Sequence, residues 1–396
     1  MYVLLLSPKA GFYGGVEQHV FDVATGLNAA GHRCEVAYGE WTGRSNEVWR
    51  QNFVCHPLRS LGAPDGEDLD ALISRLRPDV VYGHKVESIL PSIERLPSWV
   101  RRLAMIHDHD LVCPRRHKYT AWTGRVCRRP MSAACALDGA WIQRGAGGLR
   151  FEAMAPKFER LDAARRMDQL VVASRFMGEE LVTNGCDPDR IALLAPVPRR
   201  DLASEASGVA GGETIDVLFV GQLIRGKGVD LLLKALARTE RPVQATIIGD
   251  GNARAGLEKL AVRLGIRHRV RFYGWVEPGR VGSFYGQARV VVMPGRWPEP
   301  FGLVGLEAMA HAKPVVAFDV GGVRDWLEDQ ETGLLVPEQE IGAMAGAIDR
   351  LLGSSALRRR FGRASRRIYH ERFRFQPYLH RLVDLLRSTQ EGRAAA

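Results

Sequence analysis

The chain has no uninterrupted apolar stretch of about 18 residues, so it offers no candidate transmembrane helix. Its apolar beginning, Met1-Tyr-Val-Leu-Leu-Leu-Ser7, has no basic flank, runs into Pro8 and meets no small-residue cleavage site. It reads as a buried first strand rather than a secretory leader. Cysteine is sparse: Cys34, Cys55, Cys113, Cys127, Cys135 and Cys186, with no Cys-x-x-Cys pair. With no export signal the thiols are expected to be reduced, which disfavours a disulfide framework. Neither half spells Gly-x-Gly-x-x-Gly in its first strand-to-helix turn, which disfavours a dinucleotide oxidoreductase. The remainder is average. Hydrophobic residues make up 46% and charged residues 25%, so neither disorder nor a membrane bundle is indicated. At 396 residues the chain suits two domains better than one core.

What is present in excess is positive charge, +10 overall and unevenly spread. Residues 101–150 hold ten Lys/Arg against Asp108, Asp110 and Asp138, in a stretch whose Gly, Pro and Trp suggest a loop. A second group, Arg358, Arg359, Arg360, Arg363, Arg366 and Arg367, lies near the end. Such patches suit anionic partners, or simply form a solvated helical face.

The two halves follow one plan. A strand at 3–6 leads into the loop Ser7 to Gly15, then a helix from Val16 to about Ala30 with Val16, Val20, Val23, Ala24 and Leu27 on one face. Apolar runs recur at 34–38, 79–82, 103–107 and 169–173 between helical stretches. After a linker-like segment at 196–214 the pattern restarts with Asp216-Val-Leu-Phe-Val220, the loop Gly221 to Gly228 and a helix over 229–238. Further strands fit 243–248, 270–273, 289–293 and 314–318. Two parallel α/β sheets in series predict a ligand near the C-terminal strand ends, in a cleft between them.

The chemistry is concentrated in the second half. The strand Arg289-Val-Val-Val-Met-Pro294 is followed by the turn Gly295-Arg-Trp-Pro-Glu-Pro-Phe-Gly302 and a helix from Leu303 to Ala312. The positive end of that helix suits a diphosphate. Glu299 precedes it and Glu307 lies about a turn inside. At this spacing the two carboxylates can bind hydroxyls on separate parts of one ligand, or else serve as a cap and a surface residue.

The full string Trp297-Pro-Glu-Pro-Phe-Gly-Leu-Val-Gly-Leu-Glu-Ala-Met-Ala310 closely resembles the signature of glycosyltransferase family 4. The resemblance spans nearly the whole chain: Gly14-Gly15-Val-Glu17, Val220-Gly-Gln-Leu…Lys227-Gly, Ile248-Gly-Asp-Gly251, Val270-Arg-Phe-Tyr-Gly274, Gly321-Gly-Val-Arg-Asp325 and Thr332-Gly-Leu-Leu-Val-Pro337, in order. It implies the GT-B fold, with two Rossmann-like α/β domains facing a central cleft and the C-terminal helix packed back on the N-terminal domain. The expected boundaries are 1–198 plus about 370–396 for the acceptor domain and 199–369 for the donor domain.

By the same likeness, Glu299, His107 and Lys227 are the catalytic residues. Donor binding falls to Gly14, Gly15, Gly221, Gln222, Arg225, Gly249, Val276, Phe301, Gly302, Leu303 and Glu307. Gly15 would give its N–H to the distal phosphate and Lys227 would neutralise the diphosphate. Glu299 would hold the sugar, Glu307 the ribose, and residues near Trp275-Val276 the base. Lysine and helix dipole replace a metal, so no metal or cofactor is expected beyond a UDP- or GDP-linked donor. Gln222 stands where the family has arginine, removing a charge from the diphosphate loop, and Arg225 is the candidate to compensate.

His107-Asp108 resembles the family's strand-end His-Asp. Asp108-His-Asp110 also spells the Asp-x-Asp of metal-dependent enzymes, a tripeptide common by chance. The basic loop beyond it, with Cys113, His117, Trp122, Cys127, Cys135 and Trp141, reads as an acceptor cover, with a structural zinc at these cysteines as the lesser reading. The expected function is a retaining transfer of a hexose or N-acetylhexosamine to a glycan, lipid-linked or small-molecule hydroxyl. The protein would be cytoplasmic, with peripheral contact at the inner membrane face left open and nucleic acid disfavoured. The alternatives are an epimerase or phosphorylase on the same fold, and a non-catalytic subunit.

Overall fold

The computed structural model describes all residues except 121–122, 138, 140–141, 146–147, 152, 200–201, 203–213 and 388–396. The chain forms two compact units. The first comprises Met1–Arg116, Arg128–Arg199 and Phe375–Ala396, and the second His117–Cys127 and Arg200–Arg374. Residues 117–127, expected in the first domain, therefore belong to the second unit.

The first unit is built on strands β1 (Tyr2–Ala10), β2 (Arg33–Trp41), β3 (Cys55–Pro57), β4 (Val80–His84), β5 (Arg101–Ile106), β8 (Gln169–Val172) and β9 (Ile191–Leu193). Between β5 and β8 in sequence lies a small antiparallel hairpin, β6 (Ile142–Gly145) and β7 (Gly148–Phe151). The seven form a parallel sheet ordered β3-β2-β1-β4-β5-β8-β9. Leu4, Leu6, Val81, Ala104, Ile106, Leu170 and Val172 alternate onto one buried face, while Val3 and Leu5 are buried on the other. Continuous apolar runs of this kind are what a parallel sheet covered on both faces requires. β1 runs past the expected 3–6 because its ladder with β2 continues to Lys9↔Glu40 and Ala10↔Trp41. The turn consequently begins at Gly11, whose φ of +98° and crowding by Thr42 leave no room for a side chain.

The second unit repeats the plan with β10 (Ile215–Val220), β11 (Ala245–Ile248), β12 (Val270–Gly274), β13 (Ala288–Met293), β14 (Val315–Phe318) and β15 (Gly333–Val336). Their order is β12-β11-β10-β13-β14-β15, all parallel. Val217, Phe219, Ile247, Val290, Val292, Val316 and Phe318 supply its core. In both sheets the strand order reverses next to the first strand, and in such folds the carboxyl ends at that reversal receive ligands.

The basic tail resolves into helices Ser355–Arg372 and Phe375–Arg387. The second is amphipathic, burying Phe375, Tyr378, Leu379, Leu382, Val383 and Leu386 in the first unit. Gly26 of helix Gly15–Ala29 admits it: a Cβ there would lie 2.9 Å from the Phe375 ring. Among the described residues, no helix is long and apolar enough to cross a membrane.

Candidate functional site

In the second unit, the sequence-predicted residues meet at the carboxyl ends of β10 and β13. β10 ends at Val220, and Gly221 follows with φ +153°. A Cβ on the neighbouring Gly249 would sit 1.9 Å from the Gly221 carbonyl oxygen, so two chain segments touch there that only glycine permits. Leu223 then donates its N–H to the Asp250 carbonyl, tying the loop to the end of β11. Gln222 and Arg225 are both exposed on this loop. Val276 lies half-buried just beyond β12.

The loop after β10 and the loop after β13 are joined as one structure. The N–H groups of Arg296 and Trp297 both donate to the Gly226 carbonyl, at 2.9 and 3.0 Å. Arg296, itself buried, forks onto Asp230 with two 2.6 Å hydrogen bonds and also reaches the Arg225 carbonyl at 3.1 Å. Burial pulls the Asp230 carboxyl upward, but the guanidinium outweighs it and holds the group below the usual carboxylate range. Gly228, φ +68°, packs against the Pro294 carbonyl, where a Cβ would lie at 1.8 Å.

Lys227 and Glu299 face each other as a result. Lys227 Nζ donates to Glu299 Oε1 at 2.5 Å, with side chains 30% and 12% exposed. The Glu299 backbone is clasped from behind. Gly322 N–H donates to its carbonyl at 2.6 Å, and Gly321, φ +61°, leaves no space for a Cβ beside it. The indole of Trp326 donates to the Phe301 carbonyl at 2.7 Å and lies over Gly305, whose Cβ would meet its ring at 2.3 Å. Gly302, φ +99°, then caps helix Leu303–Ala310, leaving the first backbone N–H groups of that helix at the loop. Glu307, half-buried on this helix, accepts from the Tyr285 hydroxyl at 2.8 Å, and Tyr285 stacks on His311. Tyr285, Asp230 and Trp326 were not legible as supports, because they lie 22 to 66 residues from Glu307, Arg296 and Phe301 and share no periodicity with them.

In the first unit, Gly14 is the N-cap of helix Gly15–Ala29, and its N–H donates to Glu17 at 2.9 Å. Glu17 is thereby explained as a helix-end partner. His107, just past β5, contacts His84 at the end of β4: Nδ1 of His84 lies 3.1 Å from Nε2 of His107. His19, from the helix, stands edge-on to both rings at 5.5 and 5.8 Å, and its Nε2 lies 3.2 Å from the Tyr378 hydroxyl. Burial lowers all three histidines, His19 to about 4 and the other two well below the ordinary range. Asp108 and Asp110 both bind Lys85, the latter at 2.9 Å, so this Asp-x-Asp is satisfied by a lysine. Among the described residues, no three of His, Cys, Asp and Glu are gathered to hold a metal ion. Trp122 and Trp141 lie outside the described residues.

The basic loop contributes to the second unit in an unforeseen way. Tyr119 and Val126 pair in an isolated antiparallel bridge. Val126 donates to Glu338 at 2.7 Å and packs on the second core, while Tyr119 lies against Gly226.

This geometry agrees with comparisons to known proteins. The family model described as glycosyl transferases group 1 matches residues 203–368, and that described as Glycosyltransferase Family 4 matches residues 13–196. Among curated relatives, the alpha-D-kanosaminyltransferase of Streptomyces kanamyceticus is 41% identical over 43% of this chain and 46% of its own length. A D-inositol 3-phosphate glycosyltransferase of Xylanimonas cellulosilytica is 32% identical over 58% of each chain. These matches thus span about half the length of those relatives. Among solved structures, Anabaena HepE, determined in complex with UDP, superposes with a TM-score of 0.74 at 20% identity, over 98% of this chain and 100% of its own. With one family model on each half and its two Rossmann-like units in the GT-B fold, the chain belongs to glycosyltransferase family 4.

Proposed function

We propose that the protein transfers a hexose or N-acetylhexosamine from a UDP- or GDP-sugar to a hydroxyl acceptor, with retention at the anomeric carbon. The observation that carries this reading is the Lys227–Glu299 pair, set among glycines and beside the open N-terminus of helix Leu303–Ala310. A cation and a row of N–H donors suit the diphosphate, and the adjoining carboxylate suits sugar hydroxyls. Glu307, oriented by Tyr285, is then the ribose acceptor of hydrogen bonds. The kanosaminyl and inositol-phosphate relatives support sugar transfer, and the UDP held by HepE supports a uridine donor first.

When the bond from the anomeric carbon to the diphosphate breaks, charge builds on the phosphate oxygens. Lys227 would exchange Glu299 for those oxygens, and fixed donors aimed there supply the larger part of the stabilisation. The acceptor oxygen forms the new bond on the same face, and its proton passes to the departing phosphate. By family likeness Gly221, Gln222, Arg225 and Gly249 would line the phosphate end and Val276 the base, and the likeness assigns donor binding to Gly14, Gly15 and His107 as well.

A thermal-shift panel of UDP-, GDP- and ADP-sugars tests this. One uridine or guanosine donor should raise the melting temperature, and Glu307→Ala should abolish that rise. An undiminished shift in the variant would sink the ribose assignment. Release of nucleoside diphosphate only when an acceptor is added would separate transfer from phosphorolysis.

A further inference from the structure

The histidine cluster of the first unit contains more order than contact with a substrate needs. His84 is fully buried at the end of β4, its ring tilted against the buried Tyr82 ring with centroids 4.3 Å apart. Its Nδ1 faces His107 Nε2 at 3.1 Å, and its Nε2 is buried without a hydrogen-bond partner. His19 braces both rings edge-on and is itself held by Tyr378.

Two neutral imidazoles in this arrangement share one proton between the facing nitrogens. Burial keeps both neutral near pH 7. If His84 Nδ1 were the bare nitrogen, its proton would sit on Nε2 as an orphaned buried donor. If Nδ1 carries the proton, only a bare acceptor is orphaned. Buried donors without partners are the rarer and costlier case. The proton therefore lies on His84 Nδ1 and is donated to His107 Nε2. A neutral His107 must then carry its own proton on Nδ1.

We propose that His84 is a positioning residue that locks His107 in its Nδ1–H tautomer, making the remaining ring nitrogen a hydrogen-bond donor to a substrate hydroxyl and not a base. The contact with a hydroxyl rests on the function proposed above, whereas the tautomer does not. It fits a reaction in which the departing phosphate, not a side chain, receives the acceptor proton.

Nitrogen-15 NMR of the full chain with labelled histidine, His107 assigned from a His107→Gln variant, reads the tautomer directly. A protonated Nδ1 and a bare Nε2 are expected near pH 7; the opposite pattern overturns the proposal without recourse to any variant. His84→Leu should release His107 to the other tautomer and lower kcat about tenfold, as loss of one oriented hydrogen bond would, with donor KM little changed. His84→Asn, whose amide N–H can stand in for Nδ1–H, should recover most of that loss and the tautomer. Equal impairment of both variants would also overturn it. If His107→Ala left transfer intact, the substrate contact would fail while the NMR result still decided the tautomer.

Discussion

The two units share one strand order, yet their ligand-receiving ends are built from opposite materials. At the reversal of the first sheet stand neutral, buried imidazoles and a Lys85 whose charge is consumed by two aspartates. At that of the second stand a lysine and a glutamate, partly exposed, in a frame of glycines. The difference lies in what each end can do when a charged group arrives. On the proposed function, neutral rings in fixed tautomers would select hydroxyls by hydrogen-bond polarity. An exchangeable ion pair would hand its cation to a diphosphate and keep its carboxylate for the sugar. One topology would then serve recognition in one unit and charge stabilisation in the other.

Removing the charge from the second unit should break this contrast most strongly. Lys227→Ala is expected to lower kcat by about 10²–10³, the range for deleting one transition-state donor. Steady-state kinetics would show it, and a loss under about fivefold would contradict the role.

The second test addresses the neutral rings through stability. His19 is depressed from 6.5 to about 4 in the fold, so between those values the unfolded chain binds a proton that the folded chain refuses. Its contribution is complete above pH 6.5 and is lost as pH falls towards 4, a difference of roughly 3 kcal/mol. His84 and His107 act in the same direction. Denaturant midpoints should therefore fall from pH 7.5 to pH 5, and His19→Leu should flatten that fall. A midpoint that does not move with pH would contradict the burial of these rings.

The smallest expected effect sharpens the charged side. Gln222 is exposed on the loop after β10, so Gln222→Arg adds a screened charge worth about 0.2–1 kcal/mol. Titration of UDP by calorimetry should show binding up to about fivefold tighter. Weaker binding would mean that Arg225 already occupies the position an arginine at 222 would take.

Much of this was legible in the sequence. Both sheets, most of their strands and the position of Glu299 before its helix followed from apolar runs and glycine punctuation, because these are local signals. The extent of β1 was not, since its last residues, Lys9 and Ala10, are held by β2 and not by their own pattern. Gly321-Gly322 was visible as a motif without a task. Its task is mechanical, to admit the Glu299 carbonyl, and only the fold brings the two segments together. The supports Tyr285, Trp326 and His84 were silent for the same reason: orientation of one side chain by another distant in sequence leaves no spacing to read. The placement of residues 117–127 was hidden by the composition of the surrounding loop.

That last stretch bears on how such proteins can be divided. A fragment starting at residue 200 carries every strand of the second sheet, yet it lacks Tyr119 against Gly226, the Val126 bond to Glu338 and the apolar cover Val126 gives the core. The half that resembles a detachable cassette is incomplete by one borrowed segment. Recombination between relatives at the interdomain linker would thus exchange the second unit while leaving behind Tyr119 and Val126, which are shaped to fit it.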